Sequence, residues 1–247
     1  IRRGYTHPAL PMLAKNADAL FAQTEFEAQT LEDLGIQPKR IHLQGMGVDL
    51  QSCTKGNSAT ARKLWQPHPN EIVVGHLANL SWDKGSTDLL SAMEILWRRG
   101  SAAKLVLAGP AMPSFEKAFR SFPFKDKVIR TGPLSSEEKK DFFASLDIFA
   151  LPSRSDSFGI VLLEAWANGK PCVVYKAGGP GSLIKHESDG LVVPCDDINS
   201  LATALEKLII DRKLSEQLGA AGNSRIAKEF LWEQKFQVFE SALKSLI

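Results

Sequence analysis

The sequence has little of what marks a secreted or membrane-spanning protein. Its 247 residues include three cysteines, Cys53, Cys172 and Cys195, with no C-x-x-C pair, so we expect reduced thiols in a cytoplasmic protein. The sequence contains no apolar run of about eighteen residues that would span a bilayer, and its first residues lack a signal-peptide pattern. Peripheral membrane contact stays open, because Trp97-Arg98-Arg99 and Arg2-Arg3 could touch anionic lipid. A solvated helix end and a solvated tail are the simpler interpretation.

The sequence also lacks a charge of one sign and a metal-binding pattern. Thirty basic and 28 acidic residues give a net charge of +2, which argues against general electrostatic capture of nucleic acid. The five histidines show no metal-ligand spacing, and there is no D-x-D pair to hold a metal on a nucleotide diphosphate. We therefore predict no nucleic-acid partner, no obligatory metal and no cofactor.

Short β-rich segments alternate with helical patterns along most of the chain. The expected strands are Ile72–Leu77, Leu105–Ala108, Val128–Arg130, Ile148–Leu151, Cys172–Tyr175 and Leu191–Val193. Expected helices begin after Ser86, Ser135 and Ser157, and another begins at Asn199 or Ser200. Two further helices are expected over Lys213–Glu229 and Trp232–Leu246. Such alternation predicts an α/β fold with a doubly wound, Rossmann-like parallel sheet.

The first fifty residues stand apart from this alternation. Strands over Ala17–Thr24 and Arg40–Leu43, joined by a helix over Glu25–Leu34, form one strand-helix-strand unit that cannot bury both of its faces. We expect this unit to be the end of a preceding domain, followed by a polar linker over residues 45–60. The chain begins with Ile1 and not with Met, in line with an upstream part that is missing.

Two carboxylates bracket an apolar helix in the stretch LPSRSDSFGIVLLEAWANGKPCVV. Asp156 precedes the helix and Glu164 lies inside it, although carboxylates are almost never fully buried without a partner. With a helix start at Ser157 or Phe158, Glu164 lies two turns on, about 10 Å along the axis. A diphosphate at the helix tip would then place a ribose beside Glu164. The alternative is an ordinary strand-loop-helix unit with a capping acid and a partly exposed Glu.

Two loops at the same edge of the predicted sheet favour an anion. The first N–H groups of the helix, including those of Gly159 and Ile160, have no intrahelical partner, and the helix dipole adds attraction. Lys84 lies in the loop after the first strand, just before another helix, where doubly wound folds bind ligands. By itself Lys84 reads as a surface lysine, but two anion contacts at one edge predict a phosphate-binding cleft.

Four segments resemble motifs of the retaining GT-B glycosyltransferases of the GT4 family. PSRSDSFGIVLLEAWANGKPCV is similar to the E-x7-E segment, and Asn79 through Lys84-Gly85 is similar to the R-x4-K-G loop. VIRTGPL resembles the V-x-x-x-G loop near the nucleobase, and AGGPGSLIKHESDGLVVPCDD resembles the G-G-x-x-E segment with its following D-G-x-x-V-P. Their order and spacing extend the resemblance over nearly the whole chain.

The resemblance implies a division of the chain and an activity. Residues 51–230 would be the donor-binding C-terminal domain, residues 1–50 the end of the acceptor-binding domain with its linker, and residues 231–247 a helix crossing back toward it. The activity would be hexosyl transfer, with retention, from a UDP-sugar, or second a GDP-sugar, to a glycan or lipid-linked acceptor in polysaccharide biosynthesis. We expect the isolated chain to be poorly active and the protein to be cytoplasmic, with peripheral contact at the inner membrane face left open.

The resemblance also implies roles for single residues. Lys84 would stabilise the diphosphate, Asp156 would hydrogen-bond the donor sugar and Glu164 would take the ribose, which makes these three the expected catalytic residues. Arg130 and Leu134 would border the base. The other expected nucleotide-sugar contacts are Asn79, Gly109, Ser157, Phe158, Gly159 and Ile160.

Three positions depart from the family pattern. Asn79 stands where Arg is usual, Asp156 replaces the commoner Glu, and Ser182 takes the place of the Glu in G-G-x-x-E. Losing one charge-assisted contact costs roughly 1.5 to 3 kcal/mol, unless Arg154 compensates. A nucleotide-sugar-binding module with a degenerate catalytic site is therefore the alternative function. A sugar-nucleotide epimerase is less favoured, since the downstream acid expected there is absent at Ser182.

Overall fold

A six-stranded parallel sheet organises the computed structural model, which describes residues 9–68 and 71–246. The strands are β1 (Leu20–Ala22), β2 (Ile41–Leu43), β3 (Val73–Leu77), β4 (Lys104–Ala108), β5 (Val128–Gly132), β6 (Ile148–Leu151), β7 (Cys172–Tyr175) and β8 (Gly190–Val193). Strands β1 and β2 form a separate parallel pair, and the large sheet has the order β5-β4-β3-β6-β7-β8. This order steps outward from β3 in both directions and confirms the doubly wound sheet.

Twelve helices occupy the described residues. They are α1 (Ala9–Asn16), α2 (Glu25–Asp33), α3 (Leu50–Cys53), α4 (Ser58–Trp65), α5 (Ser86–Arg98), α6 (Pro113–Arg120), α7 (Ser136–Ser145), α8 (Ile160–Ala167), α9 (Gly178–Leu183), α10 (Ile198–Ile210), α11 (Arg212–Glu229) and α12 (Trp232–Lys244). Short 3-10 turns cover Pro38–Arg40 and Lys125–Lys127.

Strands β4, β6 and β7 are buried on both faces because helices cover both faces of the sheet. Val74, Leu105 and Tyr175 belong to a core that also includes buried residues of α5, α6 and α10. Their neighbours Val73 and Val174 belong to a second core, shared with α4, α7, α8 and α11. Alternate strand residues thus enter different cores, as the two-residue period of a strand requires. The carboxyl ends of the strands remain as the edge where loops can carry ligand-binding groups.

The start of α7 agrees with the sequence expectation, whereas those of α5 and α10 differ from it. Ser135 caps α7 in a capping box with Glu138, as predicted. Ser86 is not a cap: Gly85, at φ 70°, precedes α5, and the Ser86 hydroxyl is turned to other partners inside the protein. Helix α10 begins at Ile198, before the predicted start at Asn199 or Ser200, because Asp197 is its cap and accepts a hydrogen bond from the amide of Ser200.

Residues 20–43 form the expected strand-helix-strand unit, with a first strand shorter than the predicted Ala17–Thr24, and α12 packs against this unit. Strands β1 and β2 pair in parallel, and the rings of Phe21 on β1 and Phe239 on α12 lie 4.8 Å apart between centroids. The polar segment 45–60 is more ordered than a linker, since it forms α3, starts α4 and buries Val48 and Cys53. The division into domains stays a prediction.

The residues of the cluster Trp97-Arg98-Arg99 have partners within the chain, although both arginines are exposed. Trp97 is buried and its indole N–H donates to the carbonyl of Ala103. Arg98 pairs with Glu94, and Arg99 pairs with Glu206. The structure therefore gives no support to a lipid contact at this cluster, and Arg2-Arg3 lies outside the described residues.

Within residues 9–68 and 71–246, none of the helices combines the length and apolar character needed to cross a membrane.

His76 connects the centre of the sheet to the loop that carries Lys84. Its Nδ1 lies 2.8 Å from the carbonyl oxygen of Ala150, and its Nε2 lies 2.9 Å from the Ser86 hydroxyl. A carbonyl only accepts, so Nδ1 carries the proton and Nε2 accepts from Ser86. The same hydroxyl oxygen accepts from the amide of Ser81. These bonds tie β3, β6 and the start of α5 together.

We predict that neutral His76 makes stability depend on pH. Burial lowers the pKa of His76 to about 4, whereas the unfolded chain binds this proton near pH 6.5. The contribution of neutral His76 to the free energy of unfolding is therefore complete above pH 6.5 and is lost as the pH falls toward 4. Between pH 7 and 5 it amounts to about 2 kcal/mol of unfolding free energy. Urea unfolding of the wild type and of His76→Gln measures it, and equal pH slopes in the two proteins would contradict the expectation.

Candidate functional site

The structure places Lys84 and Asp156 in direct contact. The Lys84 ammonium lies 2.5 Å from Asp156 Oδ2 and 3.1 Å from the carbonyl oxygen of Ser155. Lys84 follows β3 and Asp156 follows β6, and these two strands are neighbours at the centre of the sheet. Two of the expected catalytic residues therefore meet at the carboxyl edge, although they lie 72 positions apart in the sequence.

The two loops approach so closely that one position admits only glycine. Gly85 has φ 70°, and a Cβ added there would lie 1.9 Å from the carbonyl oxygen of Pro152. A side chain would both strain the backbone and force the loops apart. Gly85 thus sets the separation of Lys84 from Asp156.

Arg154 connects the same two loops and also lines the cavity in front of them. Its guanidinium pairs with Asp88 on α5 and with Asp196 after β8, and it donates to the carbonyl of Trp82. It also lies 4.1 Å from the centroid of the Trp82 ring. The suggestion that Arg154 compensates for Asn79 is therefore not supported, because these contacts engage its guanidinium.

Asp88 and Tyr175 complete this arrangement and were missed in the sequence. Asp88 is buried, and its Oδ2 accepts from the Tyr175 hydroxyl at 2.8 Å as well as from Arg154. Burial and the Asp88 carboxylate raise the pKa of Tyr175 well above its usual range. No pattern singled out Asp88, because it follows Ser86 and Thr87 in the polar first turn of α5, where an acidic residue is ordinary.

Helix α8 begins later than predicted. Gly159 is its N-cap at φ 82°, and Ile160 is its first residue, because a left-handed residue cannot continue a right-handed helix. Ser157 is therefore not on α8, and Glu164 lies one turn past Ile160, about 6 Å along the axis. The predicted two-turn separation on one helix face is wrong.

The residues before α8 also differ in what they offer to a ligand. The amide of Phe158 donates to Asp156 Oδ1 at 3.3 Å, so it shapes the loop, and the Phe158 ring is buried against Phe230. The amides of Gly159 and Ile160 belong to the open first turn, where a helix attracts an anion. Ser157 is exposed beside them.

Glu164 is buried and pairs with a residue that the sequence did not single out. Its Oε1 lies 2.6 Å from the Lys139 ammonium on α7. Its Oε2 is shielded from water and has no hydrogen-bond partner among the described residues. Such an acceptor is costly to leave unpaired, and it fits a hydroxyl donor.

A glycine-rich turn and helix α9 seat the Asp156 loop from the other side. The amide of Gly179 donates to the carbonyl of Asp156 at 2.9 Å, and a Cβ at Gly179 would lie 2.0 Å from the carbonyl oxygen of Ser157. Ser182 on α9 is exposed and donates to the carbonyl of Gly179. The run AGGPG was the sequence signal for this close packing.

Gly109 joins the loops that follow β3, β4 and β5. Its amide donates to the carbonyl of Gly132 at 2.8 Å, and a Cβ on it would lie 2.0 Å from the carbonyl oxygen of Ala78. Asn79, the next residue, is exposed at this edge. The structure thus places Gly109 and Asn79 at the expected edge of the sheet.

Arg130 and Leu134 line one cavity of about 290 Å³, together with Trp65, Ile129 and further residues of α4 and α7. The guanidinium of Arg130 pairs with Glu116 and lies 4.9 Å from the centroid of the Phe119 ring. Its role beside a nucleobase stays a prediction.

A larger cavity of about 640 Å³ opens in front of the Asp156 loop. Arg154, Ser155, Asp156, Ser157 and Gly178 form one wall, and β1 and α2 form the other. In the part of the chain that the structure describes, no three His, Cys, Asp or Glu side chains cluster as a metal site would require. Of the predicted site residues, Asp156 and Ser157 line this cavity. Lys84 contacts Asp156 from the neighbouring loop, and a cation beside a carboxylate suits an anion linked to hydroxyl-bearing groups.

The doubly wound sheet and this cleft define a class of α/β protein that binds ligands at the carboxyl edge of its strands. A comparison with models of protein families identifies the family: residues 58–225 match the one described as glycosyl transferases group 1. The chain belongs to this family, which confirms the resemblance drawn from its motifs.

Two curated relatives illustrate the match. A D-inositol 3-phosphate glycosyltransferase of Rhodococcus erythropolis is 32% identical over 227 residues, covering 88% of this chain and 51% of that protein. The second relative is a GDP-mannose-dependent alpha-(1-6)-phosphatidylinositol monomannoside mannosyltransferase of Mycobacterium tuberculosis. It is 31% identical over 198 residues, which cover 76% of this chain and 51% of that protein. The chain spans about half the length of these relatives.

Solved structures share the fold. The Anabaena protein Alr3699/HepE in complex with UDP superposes with a TM-score of 0.85 at 22% identity, over 95% of this chain and 66% of that one. Its complex with UDP-glucose superposes with a TM-score of 0.80 at 21% identity, over 95% of this chain and 65% of that one.

Proposed function

We propose that this chain is the donor-binding part of a GT4-type hexosyltransferase, which moves a sugar from a nucleotide-sugar to a glycan or lipid-linked acceptor with retention. One observation carries the proposal: the Lys84–Asp156 pair stands beside the open first turn of α8, and this helix also carries the buried Glu164. A cation, an anion-binding turn and a hydroxyl-accepting carboxylate are what a sugar linked through a diphosphate to a ribose requires.

Each group has a defined task in this proposal. The Lys84 ammonium and the amides of Gly159 and Ile160 neutralise charge that develops on the departing diphosphate. Asp156, already beside Lys84, accepts hydrogen bonds from hydroxyls of the donor sugar. Glu164 accepts from the ribose. The acceptor attacks the donor sugar from the face that the phosphate leaves, which retains the anomeric configuration. The chemistry therefore needs no side-chain nucleophile and no obligatory metal.

A UDP-sugar is the first candidate donor and a GDP-sugar the second. The Alr3699/HepE structures hold UDP and UDP-glucose, which supports the first choice, and the name of the mycobacterial relative specifies GDP-mannose. We propose that the acceptor is bound mainly outside these 247 residues, so that they transfer sugar slowly alone. A role in polysaccharide biosynthesis, and a cytoplasmic location with contact at the inner membrane face, stay predictions.

Calorimetric titration of this chain with UDP, GDP and ADP, followed by their sugar conjugates, tests the proposal. We expect saturable binding of one diphosphate, and a loss of affinity of about tenfold or more in Glu164→Ala, because a charge-assisted hydrogen bond is removed. Glu137→Ala is the matched control, since that carboxylate is 81% exposed. Binding of none of the three, or unchanged affinity in Glu164→Ala, would contradict the proposal.

A binding module without transfer is the second candidate, favoured by the exposed Asn79 and Ser182 and by the engaged Arg154. Sugar transfer by the full-length protein separates the two. As an enzyme, the wild type turns over, and Asn79→Arg lowers the donor KM by about tenfold through one added charge-assisted contact. No turnover in the wild type, with a gain in the double variant Asn79→Arg, Ser182→Glu, would establish the binding module instead.

A further inference from the structure

We propose that Lys139 is a positioning and specificity residue, which together with Glu164 recognises the two adjacent hydroxyls of the nucleotide ribose. This inference rests on the proposed function, in which Glu164 meets the ribose, and it assigns a role to a residue outside every motif singled out in the sequence. Lys139 lies 25 positions before Glu164 and on a different helix.

The pair is held by structure on both sides. Lys139 stands in the first turns of α7, whose start is fixed by the capping box of Ser135 and Glu138, and its amide donates to the carbonyl of Ser135. Glu164 stands on α8, where Leu163 and Ala165 beside it are fully buried. Neither backbone is free to move the two groups apart without disturbing a core.

The two ends of the pair differ in exposure. The Lys139 side chain is 31% exposed, whereas that of Glu164 is 9% exposed. Oε1 is engaged by Lys139, and Oε2 is shielded from water and has no partner among the described residues, so the carboxylate has one unsatisfied acceptor. The ammonium has further donors, since an ammonium carries three N–H groups.

This combination matches a vicinal diol. Each ribose hydroxyl is both a donor and an acceptor, so one hydroxyl donates to Glu164 while the oxygen of the next accepts from Lys139. A lone carboxylate would only accept, and a lone ammonium would only donate. Burial and the charge of Glu164 raise the pKa of Cys53 to about 11. The neighbouring thiol of Cys53 therefore stays neutral at neutral pH and does not compete with Glu164 for the Lys139 ammonium.

Titration with UDP, 2′-deoxy-UDP and 3′-deoxy-UDP, and with the guanosine series if GDP is the ligand, tests this role. We expect the wild type to prefer the ribonucleotide over at least one deoxy analogue by roughly tenfold. Lys139→Met should weaken ribonucleotide binding by a similar factor and leave that analogue unchanged, so that the preference disappears. The conservative variant Lys139→Arg should keep most of the preference for the ribonucleotide.

Lys140→Met is the matched control, because Lys140 is the next residue of α7 but pairs with Glu137, and it should bind like the wild type. A Lys139→Met variant that weakens all three nucleotides equally would overturn the inference, since loss of packing alone acts on every ligand. If the wild type ignores the ribose hydroxyls and Glu164→Ala binds normally, the proposed function fails too. If Glu164 matters and Lys139→Met keeps the preference, only the role of Lys139 fails.

Discussion

The close approach of two loops, with Gly85 against the backbone of Pro152, is the constraint on which the site depends. It brings the loop after β3 against the loop after β6 and so allows the Lys84–Asp156 contact. His76 anchors the first loop to the strands below, and Arg154 holds the second loop to Asp88 on α5. Removing the Arg154 side chain would leave Asp88 buried without its cation, which typically costs about 3–5 kcal/mol.

Both expected ligand-binding carboxylates are paired with a lysine. Asp156 meets Lys84, and Glu164 meets Lys139. Each pair places an ammonium beside a carboxylate in a partly dry site, where an isolated charge is costly. A nucleotide-sugar would then be received by groups already in place, its phosphates beside one lysine and its ribose beside the other. Such preorganisation is how an active site avoids rearrangement costs during the reaction.

Much of the fold was predictable because it depends on local patterns. Runs such as LDIFAL and PCVVY are apolar and β-rich over strand length, and polar loops or glycines bound them, so the strands of the large sheet were located to within two residues. The strand predicted over Ala17–Thr24 is shorter, Leu20–Ala22. The start of α8 was misplaced for a local reason too: Gly159 adopts a left-handed conformation that its sequence neighbourhood does not require. Ser86 was taken as a cap because its tertiary partner His76 is invisible in the sequence.

The sequence motifs predicted the site residues, whose roles stay predictions, but most of the contacts that these residues make were not predicted. Glu164 was conspicuous as a charge in an apolar helix, whereas Lys139 lies in the polar segment SSEEKKD, where nothing distinguishes it from Lys140. Arg154 was noticed only for its proximity in sequence, and its bonds to Asp88 and Asp196 span 66 and 42 positions. Contacts of this kind arise from the topology of the sheet, and no residue pattern along the chain encodes them.

The most direct test of this account is nucleoside-diphosphate affinity in Gly85→Ala compared with Gly100→Ala. Both glycines have positive φ, but the space around Gly100 is open within 4 Å, so Gly100→Ala reports backbone strain alone, about 1–2 kcal/mol. The account predicts normal affinity in Gly100→Ala and at least a tenfold loss in Gly85→Ala, with thermal unfolding recorded for both. Equal affinity in the two variants would show that the apposition of these loops does not form the site.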